Sequence, residues 1–181
     1  MANELWRLLA PRPRLSLRVN LTEAAAAVRA SGLPLSTQTC RADTIGDWSA
    51  LWLGPDEQLL IGPAVRAESA PEMAREMAST TLANALRGLT PALAHSLVDV
   101  SQRQCAVEVQ GPHAADLINT GCPLDLGLQA FPVGSCTRTV FAKSEVVIWH
   151  RAAEHFELEV WRSFMPYLTT HLALVAPEFL Q

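Results

Sequence analysis

The stretch CTRTVFAKSEVVIWHRAAEHFELEVW, residues 136–161, decides the fold. Its β-branched and aromatic residues fall into three short runs, and small or polar residues separate the runs. We predict from this pattern three strands of a meander, at residues 136–142, 145–150 and 156–161. A meander of this kind indicates an antiparallel sheet.

The segment before the meander predicts two more strands and a short helix. The strands are expected at residues 95–101 (HSLVDVS) and 105–109 (CAVEV). Gly111-Pro112 then breaks the chain, and a short helix over 113–119 is predicted to follow it.

Three longer helices are predicted elsewhere in the chain. An alanine-rich helix over 21–30 has Thr22 as its expected N-cap. A second helix over 69–86 starts with a capping-box pattern and carries a stripe of apolar residues. Ser163 is the expected cap of the final helix, along which Phe164, Leu168 and Leu172 recur every fourth residue.

A β-hairpin is predicted around Gly54-Pro55-Asp56-Glu57, because this tetrad is a strong turn signal between two apolar runs. A short strand at 15–19 is also predicted. Together the elements favour the α+β class, with helices packed on one face of antiparallel sheet.

The chain of 181 residues fits one domain of ordinary size. Residues 1–14 contain Pro11 and Pro13 and are predicted to form an N-terminal arm. Residues 15–181 are predicted to form a single α+β domain, with a division into two lobes near 90–95 as the alternative.

Composition limits the classes of function. Charged residues make up 18% and hydrophobic residues 49%, so part of the surface is expected to be covered by a partner. The net charge is −4 and no basic run occurs, which argues against nucleic-acid binding. No apolar stretch is long enough to span a membrane, and we expect a cytoplasmic protein.

Motifs of common active sites are missing from the sequence. It contains no Gly-x-Ser-x-Gly elbow, no phosphate-binding Gly-x-x-x-x-Gly-Lys and no dinucleotide-binding Gly-x-Gly-x-x-Gly. We therefore assign no catalytic residue and no cofactor-binding residue. The four cysteines lie far apart, which favours buried thiols over a metal site or disulfides.

Two sets of ionisable residues are the remaining candidates for chemistry. His150 and His155 flank an expected turn with Glu154, where a metal site is one hypothesis and exposed turn residues are the other. Asp99 and Glu108 are candidates for an acid–base pair, although we favour a hydrogen-bonded structural role for Asp99. The acidic pair Asp56 and Glu57 belongs to the hairpin turn and is expected to be solvated.

Four residues are candidates for an interface with a partner protein. Tryptophan and arginine are enriched in the buried centres of interfaces. On that basis we select Trp6, Trp48, Trp52 and Arg138, with Trp6 on the arm as the first choice. The alternative for each tryptophan is packing on its own domain.

Several stretches of the chain resemble the gamma subunit of heterotetrameric sarcosine oxidase. They are ALWLGPDE (50–57), HSLVDVSQR (95–103), VEVQGPHAA (107–115), GCPLDL (121–126), FPVG (131–134), TRT (137–139) and FELEVWRSF (156–164). The run GCPLDL followed by FPVG and TRT is the most specific of them. The resemblance covers the chain from about residue 48 to the C-terminus.

The resemblance implies a subunit without an active site of its own in a complex of four different chains. That complex oxidises sarcosine to glycine and hydrogen peroxide, and the methyl carbon leaves as formaldehyde or as methylene-tetrahydrofolate. FAD, FMN, NAD, zinc and tetrahydrofolate are expected in the partner subunits. The large alpha subunit is the expected main contact of the gamma chain, with beta and delta subunits in the same complex.

The family is also similar in fold to the glycine cleavage T-protein, a folate-dependent aminomethyltransferase. T-proteins carry a Gly-Gly segment that leads to paired aspartates, and the matching stretch here is AKSEVVI, residues 142–148. It has neither feature, which implies that the fold is kept and the chemistry lost. A stand-alone folate-binding methyltransferase, or the same subunit role in a related N-methyl amine demethylase, are the alternatives.

Overall fold

The computed structural model describes residues 5–64, Thr80, Asn84 and residues 93–179. The chain divides into two compact units. The N-terminal unit comprises residues 10–102, and the C-terminal unit joins residues 1–9 to residues 103–181. Each unit is built on one five-stranded antiparallel sheet, which confirms the predicted α+β fold with antiparallel sheets.

The described residues contain ten strands and three α-helices, besides the helical positions Thr80 and Asn84. The strands are β1 (Trp6–Leu8), β2 (Arg14–Val19), β3 (Ala42–Ile45), β4 (Trp48–Gly54), β5 (Glu57–Ile61), β6 (His95–Asp99), β7 (Gln104–Gln110), β8 (Cys136–Phe141), β9 (Ser144–Ala152) and β10 (His155–Trp161). The helices are α1 (Leu21–Ala30), α2 (Ala114–Asn119) and α3 (Met165–Val175), with short 3-10 turns at Arg162–Phe164 and Ala176–Phe179.

The sheet of the N-terminal unit has the strand order β3-β4-β5-β2-β6. Helix α1 packs on one face of it through alternate apolar residues, among them Leu15 and Leu17 of β2 and Val28 of the helix. The cap of α1 is Asn20 and not the predicted Thr22, because the Asn20 side chain accepts hydrogen bonds from the backbone N–H groups of Thr22 and Glu23.

The hairpin predicted around residues 54–57 is confirmed as β4–β5, with Gly54 paired to Glu57 across the turn. Leu51 of β4 lies opposite Leu59 of β5, and both are buried. Of the helix predicted over 69–86, only Thr80 and Asn84 belong to the described residues, and both are helical. The rest of that prediction lies outside the part of the chain that the structure describes.

A buried glutamine fixes the loop between α1 and β3. The side chain of Gln58 on β5 donates from Nε2 to the Ser36 carbonyl at 2.9 Å, and its Oε1 accepts from the Ser36 N–H at 3.1 Å. Both residues are buried. The amide thus satisfies both backbone groups of Ser36, as a neighbouring strand would.

The sheet of the C-terminal unit has the order β1-β7-β10-β9-β8. Strands β8, β9 and β10 pair in sequence, which confirms the predicted meander. Helices α2 and α3 pack on one face of this sheet, where Leu117, Leu168 and Leu172 are fully buried in the core. The predicted Ser163 cap is wrong: Ser163 lies in a 3-10 turn, and α3 starts two residues later without a side-chain cap.

The N-terminal segment supplies strands to both sheets. Residues 1–14 are predicted as an arm, and in the structure β1 within this segment pairs with β7 of the C-terminal unit. Backbone hydrogen bonds flank that pairing, from the Gln110 N–H to the Leu5 carbonyl and from the Leu9 N–H to the Ala106 carbonyl. The segment ends with Arg14, the first residue of β2.

Replacement of Gln58 by methionine should destabilise the chain by about 2–6 kcal/mol. The substitution keeps the size of the side chain but leaves the buried N–H and carbonyl of Ser36 without partners, each at about 1–3 kcal/mol. Urea unfolding of the variant would measure the loss. Gln38→Met, at an exposed position, is the matched control and should change the free energy of unfolding by less than about 0.5 kcal/mol. An equal effect of the two substitutions would contradict the structural role of Gln58.

Candidate functional site

The second face of the C-terminal sheet carries buried carboxylates. On β7 and β10, alternate residues such as Val107 and Leu158 face the helices. The intervening residues Glu108 and Glu157 pair across the strands and point to the other face. Glu108 is 6% exposed, and Glu157 and Glu159 are each 1% exposed. A carboxylate at such depth is costly unless a cation or hydrogen-bond donors accompany it.

Cationic and imidazole groups from three different segments meet these carboxylates. Arg7 of β1 contacts Glu108 Oε2 through its Nε, and His155 Nε2 lies 2.7 Å from Glu108 Oε1. Arg151 Nη1 lies 3.2 Å from Glu157 Oε2. We call these five residues the charged cluster.

Arg151 lies at an irregularity in the β9–β10 hairpin. His155 pairs with Ala152, whereas Phe156 pairs with His150, so Arg151 is the extra residue of a β-bulge. Its guanidinium carbon lies 4.5 Å from the centre of the Trp149 ring, within the range of a cation–π interaction. Arg151 therefore lies on the same face of the sheet as Trp149, the face that holds Glu157.

Burial lowers the pKa of two members of the charged cluster, His155 and Arg151. Desolvation lowers the pKa of His155, and nearby Arg151 and Arg7 lower it further, while the Glu108 carboxylate opposes the shift. Desolvation also lowers the pKa of Arg151, again opposed by Glu108. A neutral His155 donates its Nε2–H to Glu108. Two guanidinium groups then balance two carboxylates, an arrangement suited to holding strands together.

His150 and His155 lie on opposite faces of the sheet. The His150 ring stacks on Phe156 at 4.2 Å between centroids, and its Nδ1 is 2.7 Å from the Phe131 carbonyl oxygen. Glu154 is an exposed turn residue with a φ of 56°. The three residues considered for a metal site therefore do not converge. Across residues 5–64, 80, 84 and 93–179, no group of three histidine, cysteine, aspartate or glutamate side chains is placed to hold a metal ion.

The carboxylates proposed as acid–base pairs are each engaged in a hydrogen bond or an ion pair. Asp99 lies in the N-terminal unit, exposed, and its Oδ1 accepts a hydrogen bond from the Ser101 N–H at 2.9 Å. Glu108 lies in the C-terminal unit within the charged cluster. Asp56 and Glu57 both contact Arg18 of β2, at 3.4 and 2.8 Å. Each of these four carboxylates thus has a hydrogen-bond donor or a cationic partner of its own, as expected of structural carboxylates.

The four candidate interface residues lie in different parts of the molecule. Trp48 and Trp52 are half-buried and pack against the core of the N-terminal unit. Trp6 is half-buried against the core of the C-terminal unit. Arg138 is exposed on β8, where its Nε lies 3.6 Å from Glu145 Oε1. Strands β1 and β8 are opposite edges of one sheet, so Trp6 and Arg138 do not share a surface.

Residues 142–148 form a tight turn and the start of β9. Phe141 pairs with Ser144, so Ala142 and Lys143 are the two turn residues, and Ala142 has a φ of 50°. Glu145 is the one carboxylate of this segment, and it is exposed beside Arg138. The segment presents no buried carboxylate.

The charged cluster was not predicted from the sequence. Two of its members, Glu108 and His155, were named as candidates for other roles. The signal is present in the sequence: glutamates alternate with apolar residues in VEV, residues 107–109, and in FELEV, residues 156–160. Such alternation places carboxylates on one strand face and predicts cations opposite. Sequence reasoning also missed the exposure of apolar residues near the C-terminus, which only the packing of the final helix reveals.

The fold places the chain in a recognisable class. The structure of aminomethyltransferase T of the glycine cleavage system from Bartonella henselae superposes with a TM-score of 0.62 over 92% of this chain and 44% of that protein. At 12% identity the similarity concerns the fold alone. The chain thus has the fold of an aminomethyltransferase T domain.

Within that class, the chain belongs to the sarcosine oxidase gamma subunit family, whose model matches residues 19–178. The gamma subunit from Corynebacterium sp. strain U-96 is 28% identical over 156 residues, which cover 86% of this chain and 69% of that subunit. A chain of the heterotetrameric sarcosine oxidase of Corynebacterium sp. U-96, solved with pyrrole 2-carboxylate, superposes with a TM-score of 0.79 at 27% identity. That superposition covers 97% of this chain and 85% of the other. The resemblance identified from the sequence is confirmed.

The lowered pKa of His155 predicts a pH-dependent stability. Between the ordinary value of about 6.5 and the lower pKa of the folded chain, the unfolded chain binds more protons. The free energy of unfolding should therefore fall as the pH falls through this window. His155→Gln should make the dependence shallower.

Urea unfolding at a series of pH values from about 7.5 to about 5 would measure this slope. His113→Gln provides the control, since His113 is exposed beside Asp116 in the same unit. An unaltered slope in His155→Gln would show that His155 is not the group responsible.

Proposed function

We propose that this chain is the gamma subunit of a heterotetrameric oxidase that demethylates sarcosine to glycine. In this proposal hydrogen peroxide is released, and the methyl carbon leaves as formaldehyde or as methylene-tetrahydrofolate. The chain contributes structure and contact area and no catalytic group. The observation that carries the proposal is the similarity along 97% of the chain to a subunit of a heterotetrameric sarcosine oxidase.

Two features of the C-terminal unit support a role without chemistry. The buried carboxylates Glu108 and Glu157 are neutralised by Arg7 and Arg151, so they serve the fold and not proton transfer. The stretch 142–148, which stands where the resemblance expects the paired aspartates of T-proteins, is a hairpin turn with one exposed carboxylate. A general base needs a carboxylate held beside its substrate.

The cofactors and partners of the complex follow from the same proposal. FAD, FMN, NAD, zinc and tetrahydrofolate would be held by the other subunits, in keeping with the lack of dinucleotide-binding and phosphate-binding motifs here. The alpha subunit would be the main contact, with beta and delta completing the assembly. A cytoplasmic location is supported by four free cysteines, as expected in a reducing compartment. In the described part of the chain, no helix has the length and apolarity needed to cross a membrane.

The competing function is a stand-alone folate-binding aminomethyltransferase. Its support is the fold shared with aminomethyltransferase T, at 12% identity. A third candidate keeps the subunit role but gives the complex another N-methyl amine substrate. The gamma chain does not discriminate between substrates, because in this proposal the flavin site belongs to other subunits.

Reconstitution would test the proposal. The chain would be purified alone, the other three subunits together, and all four together, and hydrogen peroxide formation from sarcosine would be measured for each. We expect no turnover by the isolated chain, and assembly of one gamma chain into the complete complex. Other N-methyl amines assayed with the four-chain complex would identify its substrate.

Folate binding by the isolated chain separates the two main functions. A folate-binding enzyme would gain about 2.7 kcal/mol of stability at a ligand concentration of 100 times Kd, which a thermal shift detects. We expect no shift with tetrahydrofolate. A clear shift, or turnover of a folate by the chain alone, would contradict the structural role.

A further inference from the structure

Two side chains from different strands share the carboxylate of Glu108. Arg7 of β1 contacts Glu108 Oε2 through its Nε, and His155 Nε2 of β10 lies 2.7 Å from the other oxygen, Oε1. A guanidinium is charged at every working pH, whereas an imidazole becomes charged only as the pH falls. Since Glu108 is buried, it requires a counter-charge, and either of the two groups can supply it once His155 is protonated.

The charged groups that act on His155 come from three other strands. They are Arg7 of β1, Glu108 of β7 and Arg151 of β9. On β10 itself, Glu157 shares the sheet face with Glu108 and pairs with Arg151. With His155 neutral, two guanidinium groups oppose two carboxylates. Protonation of His155 gives this group one cation in excess.

Two further glutamates belong to the same hairpin. Glu159 lies further along the same face of β10, opposite Ala106 and Val147, and is engaged in an interaction of its own. Glu154 is an exposed turn residue, so water and salt screen its charge. The charges that act most directly on His155 are therefore the three named above.

Arg7 is the cation of the cluster that can leave most easily. Strand β1 has three residues, lies at the edge of the sheet and is paired with β7 in the described part of the chain. The Arg7 side chain is 60% exposed. Arg151 instead belongs to the nine-residue strand β9, which has a paired strand on each side. A short edge strand opens at a lower free energy than the interior of a sheet.

We propose that β1 is a pH-sensitive latch: protonation of His155 gives Glu108 a counter-charge in place of Arg7 and so releases β1 from the edge of β7. The inference concerns the fold of this chain and does not depend on the proposed function. At neutral pH the pairing with β7, the burial of Leu5 and the ion pair of Arg7 keep the latch closed.

The sign of the pH dependence follows from the departure of Arg7. Burial lowers the pKa of His155 in the closed state, and Arg151 and Arg7 lower it further. When β1 opens, the positive charge of Arg7 leaves while Glu108 remains, so the open state binds protons more readily. Attachment of β1 is therefore strongest above the ordinary histidine pKa of about 6.5 and weakens as the pH falls below it.

Amide hydrogen exchange in the full-length chain would measure the opening of β1. The Leu9 N–H donates to the Ala106 carbonyl and the Gln110 N–H donates to the Leu5 carbonyl, so both amides lose their partners when β1 leaves. After correction for the intrinsic exchange rates, protection of both amides should fall by about threefold or more between about pH 7.5 and about pH 5.5. Uptake of one proton allows at most about tenfold per pH unit.

The opening should be local. Ile148 and Leu158 pair at the centre of the sheet, and their amides report on opening of the sheet as a whole. Exchange at Leu9 and Gln110 should be faster than at these two residues and should change little with low concentrations of urea. If Leu9 and Gln110 exchange only together with the centre of the sheet, β1 is not a latch and the proposal is wrong.

Substitutions of His155 would identify the charge responsible. His155→Gln gains no proton, so the pH dependence at Leu9 and Gln110 should be lost. His155→Lys is charged at pH 7.5 and should reduce protection of these amides to the level of the wild type at low pH. A purely structural role of His155 predicts the same effect from both substitutions. The control His113→Gln should behave like the wild type at both pH values.

A second substitution keeps the test decisive if His155→Lys does not fold. Arg7→Gln removes the cation that the protonated histidine replaces, so protection at Leu9 should already be low at pH 7.5 and should depend less on pH. An unaltered pH dependence in either Arg7→Gln or His155→Gln would overturn the proposal.

Discussion

Burial of the carboxylates Glu108, Glu157 and Glu159 in the C-terminal sheet is the constraint on which much of that unit depends. Removing a carboxylate from water is so costly that its counter-groups must be placed with precision. Strand β1 brings Arg7 to Glu108, and β9 places Arg151 on the same face as Glu157. The edge strand β1 therefore supplies a counter-charge to the sheet as well as backbone hydrogen bonds.

Local features of this fold could be predicted from the sequence, whereas features set by distant residues could not. The meander, the β4–β5 turn and the short helix α2 depend on neighbouring residues, and each prediction is confirmed. The predicted cap of α1, Thr22, lies two residues after the observed cap, Asn20. Both residue types are good caps, and the choice between them depends on the residue at which the helix begins, which the sequence pattern does not fix. Strand order depends on contacts between residues far apart in the chain, for which no local pattern exists.

The candidate site depends on residues far apart in the chain and was likewise not predictable as a whole. The charged cluster draws on β1, β7, the β9 bulge and β10, so neither residue type nor spacing reveals it as a unit. Residue type alone selected Trp6, Trp48 and Trp52, all of which the structure places half-buried against their own cores. Trp161, which is more exposed than these three, was not selected. The pattern of a strand does not indicate whether its last residue is covered by the rest of the fold.

Strand β1 also bears on how the protein can be made. The ribosome releases this strand early, but its pairing partners, residues 107–109, emerge only after the whole N-terminal unit has been synthesised. Until then β1 has no sheet to join, and a C-terminal fragment beginning at residue 103 would leave one side of β7 open to other strands. Trp6–Leu8 therefore depends for its pairing on a strand that is synthesised about 100 residues later, and truncation of either segment would deprive the other of its partner.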